Sequence, residues 1–426
     1  MLSSLRSAVT YAVATLLLGS GAASVFAADA ATAVSGEWPE WRGAGRASSA
    51  TSFEPPATWP QSLRLVWERE VGPSDAGPVV AGGRVYTFTR AGDREVSTAL
   101  DLESGNVLWQ EGYEAPFKPF AMVGLHGAGP YSTPLVADGR LFTLGITQTL
   151  SARDATTGKL LWQRRFDSDF KVTQPFYGNA LSPLQADGRL IVEVGGGGNG
   201  ALLAVDPATG QDIWRLKGDG PAYGSPIAVE IDGTQQIVTL TQRRLIGADA
   251  ETGKLLWETP FQVDADNTAL TPVHHAGLLV LGANQRPLRA YRVAQGGAGW
   301  TAEQVWSNAE VSPPYSTPVV AGGSLVAFAG QNKGQLVVVD PATGATTWEA
   351  PGRQGDNSYL VAIGSTVLSF LVDGDLEVAS IADGQAKVLA RYTVAQSAVW
   401  SHPVVLDRHF LVKDQSHLRL WAIPGE

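Results

Sequence analysis

The chain has 426 residues, of which 17% are charged, 48 are glycine, 13 are tryptophan and none is cysteine. Without cysteine it can form no disulfide, thiolate metal site, covalent c-type haem link or lipid anchor on an N-terminal cysteine. Its formal net charge of −10 argues against nucleic acid as a bulk partner.

The first segment, residues 1–27, is predicted to be a secretory signal peptide. Arg6 supplies positive charge, an apolar run extends from Ala8 to Leu18, and small residues at Val25 and Ala27 predict cleavage after Ala27. The run is shorter than the roughly 20 residues of a membrane-spanning helix. We therefore expect an exported, soluble protein, periplasmic or secreted and not a lipoprotein, with an N-terminal extension at residues 28–60.

From residue 61 onward the chain repeats one unit, whose signature is Asp-x-x-Ser/Thr-Gly-x-x-x-Trp. Clear copies run from Asp101 to Trp109, Asp154 to Trp162, Asp206 to Trp214, Asp249 to Trp257 and Asp340 to Trp348, and weaker ones end at Trp306 and near Tyr392. The copies recur at about 40 to 50 residues, the length of a four-stranded propeller blade.

Each unit also contains a short apolar strand, a glycine turn and a second strand, as in Thr133 to Val136 followed by Asp138-Gly139. Such units begin near Gly77, Ser132, Leu181, Gly224, Leu270, Ser316, Ser358 and Ser401. The last unit has three strands, and the segment around Trp67 would supply its fourth. The predicted fold is an all-β, eight-bladed propeller of four-stranded antiparallel blades over residues 61–426, its ring closed by an N-terminal strand.

The tryptophan that ends each unit is predicted to dock on the neighbouring blade, because a large ring at the end of an outer strand buries much apolar surface. The predicted docking residues are Trp67, Trp109, Trp162, Trp214, Trp257, Trp306 and Trp348. A row of rings that stacks on sugars or a quinone is the alternative, but the spacing of these residues is that of blades.

The repeat resembles the tryptophan-docking motif of eight-bladed quinoprotein dehydrogenases. The length, the export signal and the opening Trp38-Pro-Glu-Trp41-Arg-Gly43 are more similar to the PQQ-like propeller proteins of bacterial envelopes, which include BamB. The resemblance covers residues 36–426. It implies the propeller fold and two functions: a non-catalytic platform that binds a protein or ligand, or, alternatively, a PQQ- and Ca²⁺-dependent oxidoreductase acting on alcohols or sugars.

Two departures from the family argue against PQQ turnover and against attachment to the membrane by a lipid, respectively. The adjacent cysteines of the alcohol dehydrogenases and the lipidated cysteine of BamB both have no counterpart here. We also find no set of Asp, Glu and Asn that matches the calcium and base positions of the dehydrogenases. The catalytic residues are therefore unknown, no metal ligands are predicted, and PQQ with Ca²⁺ is only the alternative to having no cofactor.

The candidate ligand site lies at one mouth of the predicted ring, where the loops between second and third strands meet the loops between blades. Four of the former place Gln or Asn beside a cation, a pairing that can bind carboxylate or hydroxyl groups. The predicted ligand-binding residues are His126, Tyr131, Asn179, Gln242, Arg243, Arg286, Gln331, Lys333, Arg353, Gln354, Asn357, Trp400 and Lys413. These residues predict that a monomer binds a polar or anionic ligand, a glycan or an envelope protein at this mouth. The alternative is that solvated hairpin turns are rich in Asn, Gln, Arg and Lys without binding a ligand.

Overall fold

A computed structural model of the protein describes residues 34–119, 126–167, 169–170, 178–261, 269–330 and 333–424. Within these ranges the chain forms 32 strands and one 3₁₀ turn, Ala44–Arg46. The strands pair into eight four-stranded antiparallel sheets, which confirms the predicted eight-bladed propeller. No helix of the described residues is long and apolar enough to cross a membrane. The predicted signal peptide lies outside the described residues.

The first four blades each use four consecutive strands, the first at the central channel and the fourth at the periphery. Blade 1 comprises β2 (Val79–Ala81), β3 (Arg84–Ala91), β4 (Arg94–Asp101) and β5 (Val107–Glu114), and blade 2 comprises β6 (Leu135–Ala137), β7 (Arg140–Leu144), β8 (Thr149–Asp154) and β9 (Leu160–Arg165). Blade 3 comprises β10 (Leu184–Ala186), β11 (Arg189–Gly196), β12 (Asn199–Val205) and β13 (Asp212–Gly218), and blade 4 comprises β14 (Ile227–Ile231), β15 (Thr234–Leu240), β16 (Arg244–Asp249) and β17 (Leu255–Pro260).

The next three blades repeat this order. Blade 5 comprises β18 (Val273–His275), β19 (Leu278–Ala283), β20 (Arg286–Gly296) and β21 (Gly299–Asn308), and blade 6 comprises β22 (Val319–Ala321), β23 (Ser324–Phe328), β24 (Leu336–Val339) and β25 (Thr346–Glu349). Blade 7 comprises β26 (Ser358–Ile363), β27 (Thr366–Leu371), β28 (Asp375–Ala382) and β29 (Gln385–Thr393). In blades 6 and 7 the two middle strands are mostly buried, because both of their faces pack against neighbouring blades.

Blade 8 joins the two ends of the repeat region. It comprises β30 (Val404–Leu406), β31 (His409–Lys413), β32 (His417–Ala422) and, at its periphery, β1 (Arg64–Glu70). The pairing of β1 with β32 runs from Arg64 opposite Ala422 to Glu70 opposite His417. The predicted closure by an N-terminal strand is confirmed, and it gives blade 8 the same four strands as the other described blades.

Five of the predicted docking tryptophans hold the next blade. The indole nitrogens of Trp67, Trp109, Trp162, Trp214 and Trp306 donate to backbone carbonyls of that blade at 3.0–3.1 Å. Each ring covers the glycine of the next blade's Asp-x-x-Thr-Gly turn or its Ser variant; a Cβ on Gly210, for example, would lie 2.7 Å from the Trp162 ring. The glycine is needed there both for its positive φ and for this close approach.

Trp257 and Trp348 depart from that pattern. Blades 5 and 7 lack the Asp-x-x-Thr-Gly turn, so these two rings have no such glycine to cover. The Trp257 indole nitrogen instead donates to Gln236 Oε1 of its own blade at 2.7 Å. Trp348 is half-buried and packs against the apolar cluster that blades 6 and 7 share.

The segment before β1 fills the channel, and we call residues 34–53 the N-terminal plug. Trp38 forms a bridge with Val80 of blade 1, and Ser49 forms one with Ala362 of blade 7. Residues 34–426 form one compact unit. The described part of the predicted extension, residues 34–60, is therefore an integral part of the propeller.

Candidate functional site

The channel is closed by two buried arginines of the plug. The innermost strands are edge strands, so their channel-side carbonyls have no partner strand. Arg42 donates from its guanidinium to Thr317 O at 3.3 Å and Pro318 O at 3.0 Å, and its Nε donates to Arg46 O at 3.0 Å. Burial lowers the pKa of Arg42 to about 9. Its charge is thus compensated by carbonyl dipoles.

Arg46 binds other blades of the ring. Its guanidinium donates to Pro226 O at 2.7 Å, Ser182 O at 3.1 Å and Pro183 O, which belong to blades 3 and 4. Its Nε donates to the Glu40 carboxylate at 3.1 Å. Two side chains thus hold carbonyls from three blades, and the plug is fixed at the middle of the ring.

Above these arginines the plug forms the floor of a pocket of about 140 Å³. The floor is the ring of Trp41, whose indole nitrogen donates to Thr271 Oγ1 at 2.9 Å. The lining residues are Trp41, Asp75, His126, Tyr131, Ala180, Tyr223, Ser225, Ala269, Tyr315, Tyr359 and Trp400. We call this space the central pocket. Its volume is large enough for several water molecules or a small organic group.

Most of the lining comes from one structurally repeated position, the third residue before the proline that opens an inner strand. In chain order this position holds Asp75, Tyr131, Ala180, Tyr223, Ala269, Tyr315 and Trp400. Blade 7 has no such proline and contributes Tyr359. The repeat therefore directs one side chain per blade toward the axis, and the residue type at that position determines the chemistry of the pocket.

A carboxyl group and an imidazole of the central pocket form a hydrogen-bonded pair. His126 Nδ1–H donates to Asp75 Oδ2 at 2.6 Å, and the two side chains are 27% and 18% exposed. Burial raises the pKa of the Asp75 carboxyl, while the His126 hydrogen bond and the positive charge of Lys413 oppose this rise. Asp75 Oδ1 meets no hydrogen-bond donor among the described residues.

Lys413 lies fully buried behind this pair. Its Nζ donates to Ser74 O at 2.6 Å and to Asp414 O at 3.0 Å. Burial lowers its pKa to about 8. Its charge is therefore directed into the protein wall and is not presented to a ligand in the pocket.

Two more polar side chains lie near the base of the pocket, and one of them contacts the plug. The Tyr359 hydroxyl donates to Trp400 O at 2.8 Å, and burial raises the pKa of that phenol. His402 Nε2 lies 3.0 Å from Ser48 Oγ of the plug, and burial lowers the pKa of His402 to about 3. His402 is therefore neutral at physiological pH and acts as a packing and hydrogen-bonding residue.

Three of the predicted site residues, His126, Tyr131 and Trp400, line the central pocket. Asn179 and Asn357 are buried, and they lie next to the lining residue Ala180 and two residues before the lining residue Tyr359, respectively. Neither side-chain polar atom of Asn357 has a hydrogen-bond partner in the described part of the chain. Sequence reasoning missed Asp75 and Trp41. The repeated position before the inner-strand proline was the signal that could have revealed Asp75; for Trp41 no such signal existed.

The amide-plus-cation loops lie outside the central pocket. Arg286 and Lys333 line a separate cavity of about 310 Å³ between blades 5 and 6, together with Glu310. Gln242 is buried and its Oε1 accepts from Gly198 N at 3.3 Å, while the side chain of Arg243 is exposed.

The two residues from the loop before blade 7 are engaged within the protein. Arg353 forms an ion pair with Asp356. Gln354 Oε1 accepts from Leu336 N at 2.7 Å, and its Nε2 donates to Glu377. Gln331 lies outside the described residues. The lining of the central pocket thus does not favour the anionic ligand that these loops predicted.

The described residues of the central pocket do not fit PQQ with Ca²⁺. PQQ is a planar quinone that carries three carboxylates, yet no Arg or Lys is among the lining residues. Calcium takes six to eight oxygen ligands, whereas the pocket offers the single carboxylate of Asp75. No group of three or more His, Asp or Glu suited to a metal occurs in the part of the chain that the structure describes.

Comparisons with curated proteins find relatives of two kinds. Over 44% of its own length the chain is 27% identical to the outer membrane protein assembly factor BamB of Nitrosomonas eutropha. Over 62% of its own length it is 27% identical to BamB of Yersinia pestis. It is 24% identical to a polyvinylalcohol dehydrogenase of a Sphingopyxis species over 67%. The matches cover 41%, 61% and 46% of these relatives, so the chain spans less than two thirds of each.

Solved structures show the same fold in both groups. BamB of Moraxella catarrhalis matches with a TM-score of 0.61 at 14% identity, covering 85% of this chain and 98% of that one. A europium-containing methanol dehydrogenase matches with a TM-score of 0.55 at 14% identity, covering 91% and 98%. A family model described as outer membrane protein assembly factor BamB matches residues 92–222 and 198–424. The eight blades and this match together show that the chain belongs to the BamB-like family of PQQ-type propellers.

Proposed function

We propose that the protein is an exported, non-catalytic propeller of the bacterial cell envelope, and that it binds a ligand or partner on the face that contains the central pocket. Propellers suit this role because many loops converge on one rigid face. The relatives named as outer membrane protein assembly factors support an envelope role.

One observation carries the non-catalytic part of the proposal. The plug places Trp41 across the channel, and the described residues around the space above it are mainly aromatic, with one carboxyl–imidazole pair among them. This set of groups can bind an organic molecule, but it offers neither the cationic contacts nor the oxygen ligands that a calcium-bound quinone requires.

The alternative is a PQQ-dependent oxidoreductase, which the match to a polyvinylalcohol dehydrogenase favours. The test is to incubate the purified protein with PQQ and Ca²⁺ and to measure both binding and dye reduction with alcohols and sugars. We expect neither stoichiometric binding nor turnover. Dye reduction that depends on PQQ and on an alcohol would refute the non-catalytic proposal.

The rim cations provide the test of the platform. We expect replacement of Arg243, Arg286 and Arg353 by alanine to abolish capture of a partner from an envelope extract, because all three belong to loops on the pocket face. The melting temperature should change little, since surface substitutions usually alter stability by less than about 0.5 kcal/mol.

A matched control removes three exposed cations from the opposite face. Lys159 and Lys254 lie in docking turns and Lys387 lies near the turn between β28 and β29. A triple alanine variant at these positions changes the net charge by the same amount and should retain partner capture. Equal loss in both triple variants would show that capture depends on net charge, and would contradict a site on the pocket face.

A further inference from the structure

The central pocket combines aromatic walls with a partly buried acid, and its described lining contains no Arg or Lys. The Trp400 ring centroid lies 4.6 Å from that of His126 at 63° and 6.1 Å from that of Tyr315 at 85°. Trp41 and Tyr359 meet edge to face on the floor, with centroids 6.5 Å apart. These near-perpendicular rings enclose a space from several sides.

We propose that the central pocket binds a small soluble quaternary ammonium compound, held between its aromatic rings and the carboxylate of Asp75. The inference rests on the proposed function only in placing a ligand at the mouth of the propeller. The negative face of an aromatic ring attracts a cation within about 6 Å of the ring centroid, and quaternary ammonium groups are the common ligands of such cages.

The acid strengthens the preference for a cation. Asp75 Oδ2 is occupied by His126, but no described donor reaches Oδ1. Burial raises the pKa of the Asp75 carboxyl, and the hydrogen bond from His126 and the positive charge of Lys413 oppose that rise. A trimethylammonium group needs no hydrogen-bond acceptor, so it can approach this carboxylate without displacing His126.

Other ligand classes fit this lining less well. An anion would meet the Asp75 carboxylate and, among the lining residues that the structure describes, no Arg or Lys. A sugar needs several hydrogen-bonding partners, but the Tyr131 and Tyr359 hydroxyls already donate to Gly127 O and Trp400 O. The two alanines of the repeated lining position, Ala180 and Ala269, leave room for methyl groups rather than for polar contacts.

The test is titration of the full chain with choline and with 3,3-dimethyl-1-butanol, its uncharged isostere, by calorimetry and tryptophan fluorescence. We expect choline to bind about tenfold more tightly than the isostere, since one charged contact of this kind corresponds to about tenfold in affinity. Equal affinity for the two, or no binding of choline, would overturn the proposal.

Two variants locate the binding. Asp75→Asn and Trp400→Leu should each weaken choline binding about tenfold. The control Asp187→Asn removes the same charge from an exposed hairpin turn and should leave choline affinity unchanged. Unchanged affinity in Asp75→Asn, with a melting temperature like that of the wild type, would refute the assignment even if Trp400→Leu failed to fold.

The outcome can be separated from that of the proposed function. If choline does not bind but the rim variants still lose partner capture, the cation site is wrong and the platform stands. If PQQ-dependent turnover is found, the non-catalytic proposal falls whatever choline does.

Discussion

Replacing Arg46 with methionine tests whether the plug is held by its contacts with the inner strands. The side chain is fully buried, and the change removes three donations to blade carbonyls and the ion pair with Glu40, which is 12% exposed. A bond from a charged donor contributes about 1.5–3 kcal/mol, and breaking a buried ion pair costs about 3–5 kcal/mol. Relief of the arginine's own desolvation offsets part of this. We therefore expect a net loss of about 3–5 kcal/mol, against a usual total stability of about 5–15 kcal/mol.

The assay is urea unfolding followed by circular dichroism, with Arg69→Met as the matched control. Arg69 also donates to three backbone carbonyls, those of Glu68, Ser104 and Gly105, but at the outer rim of the ring, where water can replace it. The control should cost less than about 1 kcal/mol. Choline affinity provides a second measurement, because a loosened plug no longer holds the Trp41 floor of the central pocket.

If Arg46→Met unfolds at the same urea concentration as Arg69→Met, the carbonyl contacts do not fix the plug and the reasoning fails. The double variant with Glu40→Gln separates the two contributions. With the single Glu40→Gln variant it completes a double-mutant cycle: a coupling energy close to the whole Arg46→Met loss would assign that loss to the ion pair, whereas a coupling energy near zero would assign it to the carbonyls.

Two further predictions concern the blades. Gly210→Ala should lower stability by about 2–4 kcal/mol, because residue 210 has a positive φ of 73° and the new Cβ would lie 2.7 Å from the Trp162 ring. Gly188 has a similar φ but open space around it, so the control Gly188→Ala should cost only about 1–2 kcal/mol. Thermal melting compares the two variants. Glu193 is buried, accepts from Thr239 Oγ1 at 3.1 Å, and has its pKa raised by burial to about 8. The folded state therefore binds more protons than the unfolded state between about pH 4.5 and pH 8, so this carboxyl destabilises the protein as pH rises through that window. The free energy of unfolding is measured with urea at both ends of this window. Between them the wild type should lose a few kcal/mol more stability than Glu193→Gln, whose side chain does not titrate. An equal change in both proteins would contradict the argument.

The fold was predictable from sequence because the repeat encodes it locally. The Asp-x-x-Thr-Gly turn needs a positive φ at glycine, and the tryptophan that follows needs a flat, glycine-sized surface on the next blade. Trp257 and Trp348 show the limit of this logic. The repeat motif that contains each of these tryptophans is intact. The glycine turn on which each would dock is absent from the following blade, so the motif alone does not predict whether the tryptophan docks.

The pocket was only partly predictable, because its position depends on how eight units converge. The sequence identified His126, Tyr131 and Trp400 as residues of the right face. It also favoured charged turn residues such as Arg243, since exposed loops are where binding residues are usually found. Trp41 could not be placed, because nothing local indicates that the segment before the first blade enters the channel.

The way in which blade 8 is assembled has a consequence for the order of folding. Arg419 and Glu68 are in contact although 351 positions separate them, and β32 lies between β31 and β1. Blades 1 to 7 contain only neighbouring strands and can form as the chain emerges, whereas the ring can close only when the last strand has been synthesised. Until that moment β1 has no partner, so the stability of the earliest strand depends on the last one.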